Sequence, residues 1–216
     1  HEKFISTPWK GIHLISPAFF VSNPEDHKLF NIKTEKELFS NIHHALIEKE
    51  LNLNAIDTQG GKIGSVEIYV SNYTEIANHT IFPEAMKLSP EDMTRNDKIV
   101  FIEKTTLNML PKLVKANLME WSKLNVRNFI QGFRDDKILI ILIIVLLFSL
   151  FKLFKKQNSL IYRLLFIFSF LGIANMGIVA IGIYTTPRYT FYNYWILPFI
   201  VIILLNEFNS KSIKEP

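Results

Sequence analysis

The chain contains no cysteine. That excludes a disulfide framework, a Cys-type zinc site and a thiol nucleophile. It leaves the compartment open, since envelope and cytosolic proteins alike can lack cysteine. The sequence begins at His1 without a leader of charged, apolar and small-residue segments. A polar region of this size lying outside a membrane needs an upstream export signal, so the expectation is a fragment or processed product of a longer multi-pass protein. Internal repeats and low-complexity stretches are missing too, and no motif names a reaction.

Charge divides the chain in two. Residues 1–136 carry 16 Lys and Arg against 18 Asp and Glu, whereas residues 137–216 carry 8 against 2. The net charge of +4 therefore comes from the C-terminal part, where the cations border apolar runs and do not line one polar face. This is not the footprint of a nucleic-acid groove, and no nucleic-acid partner is expected.

Three apolar runs follow: Ile138 to Phe154, Leu160 to Tyr184 and Tyr189 to Leu205. A hydrocarbon core about 30 Å thick needs roughly 17–25 apolar residues at a 1.5 Å rise each, so all three are read as transmembrane helices. Lys152 and Arg163 sit near the ends of the first two, where a long side chain reaches headgroups. Linkers as short as 155–159 and 185–188 make antiparallel neighbours. Ala174, Gly177 and Ala180 in the second run suggest a close helix approach. Asn175 beside them is read as a hydrogen bond across a helix interface, with a transport role as the alternative. Lys152, Lys155, Lys156 and Arg163 surround the first loop and Lys211 and Lys214 the tail, while the second loop has Arg188 alone. Lys123, Arg127, Arg134 and Lys137 oppose this bias, and the short loops decide. The positive-inside rule then puts residues 1–136 outside and the tail, 209–216, in the cytoplasm of a bacterial inner membrane. Tyr184, Tyr189, Phe191, Tyr192, Tyr194 and Trp195 would form an outer interfacial belt.

The polar part, residues 1–136, is read as mainly α with some β. Pro8 to Gly11 reads as a turn, and Ile12 to Val21 as an apolar segment too short to span, lying at the interface or ending a preceding membrane element. Ser22-Asn23-Pro24-Glu25-Asp26 has a polar cap, Pro at the first helical position and acids in the first turn. Phe39, Ile42, Leu46 and Leu53 mark a helical stripe around Glu35 to Leu51. Gly60 to Gly64 is a turn without phosphate-loop spacing. Val66 to Val70 and Lys98 to Glu103 alternate like strands, and Ser89 to Asp92 would open a short helix. Thr105 to Phe129 is an amphipathic helix suited to a membrane surface, its apolar side formed by Leu107, Leu110, Val114, Leu118 and Trp121 and its course kinked or started by Pro111.

His43 and His44 are adjacent, so on a helix they diverge and do not form the i, i+4 pair of a zinc helix. His13, His27 and His79 are scattered, and no metal site is read from them. Acids such as Glu25, Asp26, Asp57, Glu67, Glu75, Glu84, Glu91 and Asp92 are read as solvated charge, leaving the catalytic residues unknown. Arg188 stands out: an arginine in a four-residue loop at headgroup depth can hold a phosphate bidentately or serve as an interfacial anchor.

Thr186-Pro187-Arg188-Tyr189 followed by an aromatic-rich final span resembles the C-terminal part of bacterial multi-pass glycosyltransferases of the C superfamily, the dolichyl-phosphate-mannose protein mannosyltransferase type. Ser6 to Phe30 also looks like an extracytoplasmic segment of large membrane proteins grouped with them. The resemblance implies a polyprenyl-phosphate-sugar donor, an active site on the outer face, often a divalent metal, and a catalytic acid in a first external loop upstream of His1. Arg188 and Tyr189 are then the candidate substrate-phosphate residues. The competing readings are a non-enzymatic membrane protein with an extracytoplasmic binding or sensing domain, and a polysaccharide polymerase or transport component. Alkaline phosphatase fused after Gly132 should be active and after Gln157 inactive; the opposite pattern would reverse the orientation.

Overall fold

The computed structural model describes residues 9–57, 65–135, 137–155, 160–182 and 192–212. Among them every regular element is helical. The chain divides into two compact units, His1–Arg127 with Ile181–Tyr184, and Asn128–Ala180 with Thr185–Pro216.

The first unit is built around α1 (Lys10–Phe20), where eight of eleven residues are buried. The segment expected at an interface is instead the centre of a folded core, because a helix apolar on every side has to be enclosed. Trp9 precedes its first turn, so Lys10 and Gly11 are helical and do not form the turn expected there. A 3-10 helix (Pro24–Leu29) starts where the Asn23-Pro24 signal places it, and the Asp26 carboxylate accepts from the Asn23 backbone N–H at 2.9 Å. Helix α2 (Lys33–Glu48) buries Leu38, Phe39, Ile42 and Leu46, the expected stripe, with Phe39 against Phe19 and Phe30 at centroid distances of 5.7 and 5.6 Å. Leu53 belongs to a separate short helix, α3 (Leu53–Asp57).

The two expected strands are helices. Val66 to Val70 lies in α4 (Ser65–Ile76). The alternation there is five residues long, and the longer set Val66, Tyr69, Tyr73 and Ile76, all buried, recurs at helical spacing. A π-helical turn, Ala77–Ile81, joins α4 to α5 (Phe82–Lys87). A wide turn loosens carbonyls from the regular ladder, and Lys49 Nζ answers by donating to His79 O at 3.1 Å, Thr80 Oγ1 at 3.1 Å and the Glu75 carboxylate at 2.8 Å. The hydrogen bond from Lys49 holds the Glu75 carboxyl below its usual range.

Lys98 to Glu103 lies in α6 (Arg95–Ala116), whose cap is Thr94, accepting from Asp97 N–H at 3.3 Å. Ser89 to Asp92 opens no helix: Ser89 Oγ closes the end of α5 on Ala85 O at 3.0 Å, and Pro90 to Met93 is a turn. The long amphipathic segment breaks at Asn117, not at Pro111, which stays inside α6. The buried face of α6 is therefore Ile102, Thr105, Thr106, Met109 and Leu113. Leu118, on the far side of the break in α7 (Leu118–Asp135), is exposed.

The second unit packs α8 (Ile138–Phe154), α9 (Leu160–Gly182) and α10 (Tyr192–Ser212) around Leu139, Leu142, Leu165, Met176 and Ile200. The helix of the third run is described from Tyr192 and continues into the tail as far as Ser212, while residues 189–191 of the expected span lie outside the described residues. Asn175 Nδ2 donates to Asn193 Oδ1 at 3.2 Å, across α9 and α10, as its position in the apolar run suggested. Gly177 does not serve a close approach: no described atom lies within 4 Å of where its Cβ would stand. Gly172 does, with Leu142 Cδ1 at 2.5 Å and Ile196 Cδ1 at 3.4 Å from that point.

Helix α1 meets α6 most closely at Gly11, where an added Cβ would run into Thr106 Oγ1 and stand 3.1 Å from Glu103 O. Gly11→Ala should therefore destabilise the protein by about 1–3 kcal/mol through overpacking, while Gly177→Ala stays within about 0.5 kcal/mol. Denaturant unfolding of both variants in detergent checks this, and equal midpoints would refute the close crossing.

Candidate functional site: a buried asparagine and aspartate knot with a histidine-lined cleft

Four asparagines and one aspartate converge where α1, the 3-10 helix, α3 and the α6–α7 junction come together. Asn117 Nδ2 donates to the Asp26 carboxylate at 2.6 Å and to Leu113 O at 3.2 Å, while Asn117 Oδ1 accepts from Asn23 Nδ2 at 2.7 Å. Asn54 Nδ2 reaches Asn23 Oδ1 and Ser22 O, both at 3.1 Å. Asn52 Nδ2 reaches Phe19 O and Ser22 O, both at 3.0 Å. The geometry follows from local chemistry. The first helix ends at Phe20 and the next turn starts at Pro24, and between them the side-chain amides of Asn52 and Asn54 serve the Ser22 carbonyl, Asn52 adding to the Phe19 carbonyl that the Ser22 N–H reaches at 3.2 Å. Two N–H groups face the Asp26 carboxylate, so it is buried in company.

His43, on α2, closes one side. Its Nε2 donates to Ser22 O at 3.3 Å, which leaves Nδ1 as the acceptor nitrogen. Burial holds this imidazole below its ordinary range, against the Ser22 carbonyl and Asp26, which raise it, while His44 adds to the lowering. Beside it lies a cleft of about 330 Å³ lined by Pro24, Phe39, Ser40, His43, His44 and Ile47. A second cleft, of about 370 Å³, is lined by Leu29, Lys112, Lys115 and Ala116. At its edge Lys112 pairs with the buried Glu35 at 2.8 Å and lies 5.3 Å from the Phe30 centroid.

The hydrogen bonds of the knot brace the fold, and neither cleft sets a nucleophile beside a base. The first cleft offers two imidazoles, His43 and His44, the second with its Nδ1 3.5 Å from the Glu48 carboxylate, and a hydroxyl already given to Lys36 O at 2.9 Å, with no carboxylate lining it. Among the described residues no three His, Asp or Glu side chains converge, so no set can be named to hold the divalent metal that the resemblance implies. Arg188 and Tyr189, the candidate phosphate residues, lie outside the described residues, as do Gly60 to Gly64. Of the acids read as solvated, Glu25 pairs with Lys28 at the surface, Glu84 pairs with Lys87 while its own side chain is only 19% exposed, and Asp26 is buried. Sequence reading missed the burial of Glu35 altogether and the convergence of Asn23, Asn52, Asn54 and Asn117. The one available signal was the Asn-Pro-Glu-Asp cap, which placed Asp26 near a helix start but gave no hint of Asn117. No family model, curated protein or solved structure matches the chain.

His13 is a half-buried imidazole. Burial lowers it too, and its Nδ1 meets the Tyr73 hydroxyl. Both folded values lie below the unfolded value of 6.5, so the unfolded chain binds more protons. Stability is then complete above pH 6.5 and falls as pH drops below it, by at most about 1.4 kcal/mol per pH unit for each histidine. The window of Glu75 lies lower, beneath its ordinary 4.5. Unfolding midpoints should decline from pH 7.5 to 5.5, with a shallower slope in His43→Gln; a flat profile in the parent protein would contradict the two neutral imidazoles.

Proposed function

We propose that α8, α9 and α10 cross a bilayer and that the chain is the C-terminal portion of an integral membrane glycosyltransferase, moving a sugar from a polyprenyl-phosphate donor on the outer face. One observation carries the membrane part: these helices expose their apolar side chains. Ile144, Leu147, Phe154, Leu160, Ile178, Trp195 and Ile202 are all more than half exposed. Helix α9 is 23 residues long, and its most apolar 18-residue window has a mean hydropathy of 2.4, yet only 28% of that window is buried. A core helix of a water-soluble protein would be enclosed, and an exposed apolar surface of this kind calls for another apolar phase. By length and composition α9 alone among the described residues reaches spanning size, and α8 at 17 residues is shorter. Lys152 and Lys155 near the end of α8 lie over Phe148 and Phe151, an arrangement suited to an interface between lipid and water.

The enzymatic part rests on the Thr186-Pro187-Arg188-Tyr189 ending and on phosphate chemistry. An arginine that follows a proline, whose φ is fixed, can offer two parallel N–H donors to a donor phosphate. The alternative of a membrane-anchored binding domain is favoured by the His43 cleft, which has concavity without a reacting pair. An assay of the membrane-embedded full-length protein with polyprenyl-phosphate sugars, normalised to inserted protein, separates the two. Arg188→Ala should lose about 2–4 kcal/mol of transition-state stabilisation, and Arg188→Lys should recover only part of it because the fork is gone. Wild-type turnover in both variants would leave Arg188 as an anchor, and no turnover in the parent would favour the binding domain.

A further inference from the structure

Helix α7 has two faces. One buries Leu124, Asn125 and Asn128. On the other, Met119, Val126 and Ile130 are 69, 57 and 53% exposed. Their spacing of seven and four residues sets them in one line along the helix, over about 16 Å. Lys123 and Arg127 follow the same side. Lys123 pairs with Glu120 at 2.6 Å in full view of solvent, where such a pair is weak and exchangeable. From Lys115 to Ile130 the chain holds three cations and one acid. Helix α7 ends at Asp135 and the apolar α8 begins at Ile138.

We infer that this stripe rests on the bilayer surface and that its basic flank selects anionic lipid headgroups, an inference that rests on the proposed spanning of α8. Three features favour lipid over a protein partner. The stripe is one side chain wide, too narrow to bury the area that a stable protein interface needs. Its charge is complementary to anionic headgroups. It is also tethered: a helix whose chain enters the bilayer three residues beyond its end is held at high effective concentration next to the surface, so a face too weak to bind alone binds there. The apolar residues insert at the level of the acyl boundary, and Lys123 and Arg127 reach the phosphates beside them.

The absence of cysteine makes single-site labelling clean. Met119→Cys, Val126→Cys and Ile144→Cys are each labelled with an environment-sensitive fluorophore. The full chain is then reconstituted into vesicles of phosphatidylcholine, with or without about 30% phosphatidylglycerol. Quenchers are a nitroxide at the headgroup, a nitroxide deep in the acyl chains, and aqueous iodide. Labels at 119 and 126 should be quenched from the headgroup level. Surface partitioning should rise up to roughly thirtyfold with phosphatidylglycerol from the two cations, and this gain should vanish in Lys123→Glu and shrink at high salt. Deep quenching at 144 with labels at 119 and 126 as iodide-accessible as free dye would overturn the docking and leave the spanning intact. Iodide access at 144 as well would overturn both. Headgroup quenching that is equal with and without phosphatidylglycerol would overturn the choice of anionic lipid.

Discussion

A helix that is apolar on every side has to be enclosed by something, and this constraint is met twice in the chain. Helix α1 meets it with protein. Its residues from Gly11 to Phe20 touch α2, α4 and α6, and the approach of α6 is set by the missing side chain at Gly11. Helices α2, α4 and α6 turn buried apolar residues toward that centre. Helix α9 has the same composition of sides and is left largely uncovered by protein, so the remainder of the enclosure falls, on the proposed function, to lipid. The same physical demand thus yields a folded core at one end of the chain and an exposed apolar surface at the other.

Enclosing α1 creates a second problem at its C-terminus. A buried helix end leaves carbonyls without water, and the chain must reverse immediately at Pro24. The asparagine knot resolves this. Asn52 and Asn54 supply donors to Phe19 and Ser22 carbonyls, and Asp26 is buried with Asn23 and Asn117 facing it. Asn117 also explains why α6 and α7 are separate helices, since its side chain turns inward to serve Asp26. The knot is a structural device whose residues resemble those of a site, and polar residues converging in a core are not in themselves evidence of catalysis.

The sequence was most legible where one signal dominated. The apolar runs gave α8 its bounds and α9 its start. The Asn-Pro-Glu-Asp cap located the 3-10 helix, and Phe39, Ile42 and Leu46 located α2. It misled where two periodicities overlapped. Val66 to Val70 alternates over five residues, but Tyr73 and Ile76 extend a helical period that buries far more area. Lys98 to Glu103 misled in the same way within α6. Pro111 drew attention as a break because proline usually ends helices, whereas an asparagine with three hydrogen-bond partners made the break instead. The candidate site was less legible still: Asn23 and Asn117 are 94 residues apart, and nothing local at either position foretells the pairing.

The sequence by itself determined which segments are helical by strong apolar patterning, where charge changes sign along the chain, and that no thiol chemistry occurs, because these properties are local or compositional. Tertiary structure alone decided that α1 is a core helix, that Gly172 and not Gly177 is the point of close helix approach, and that Asp26 and Glu35 are buried. The reason is that burial depends on which surfaces meet, and those meetings join residues whose separation along the chain leaves no trace in local spacing.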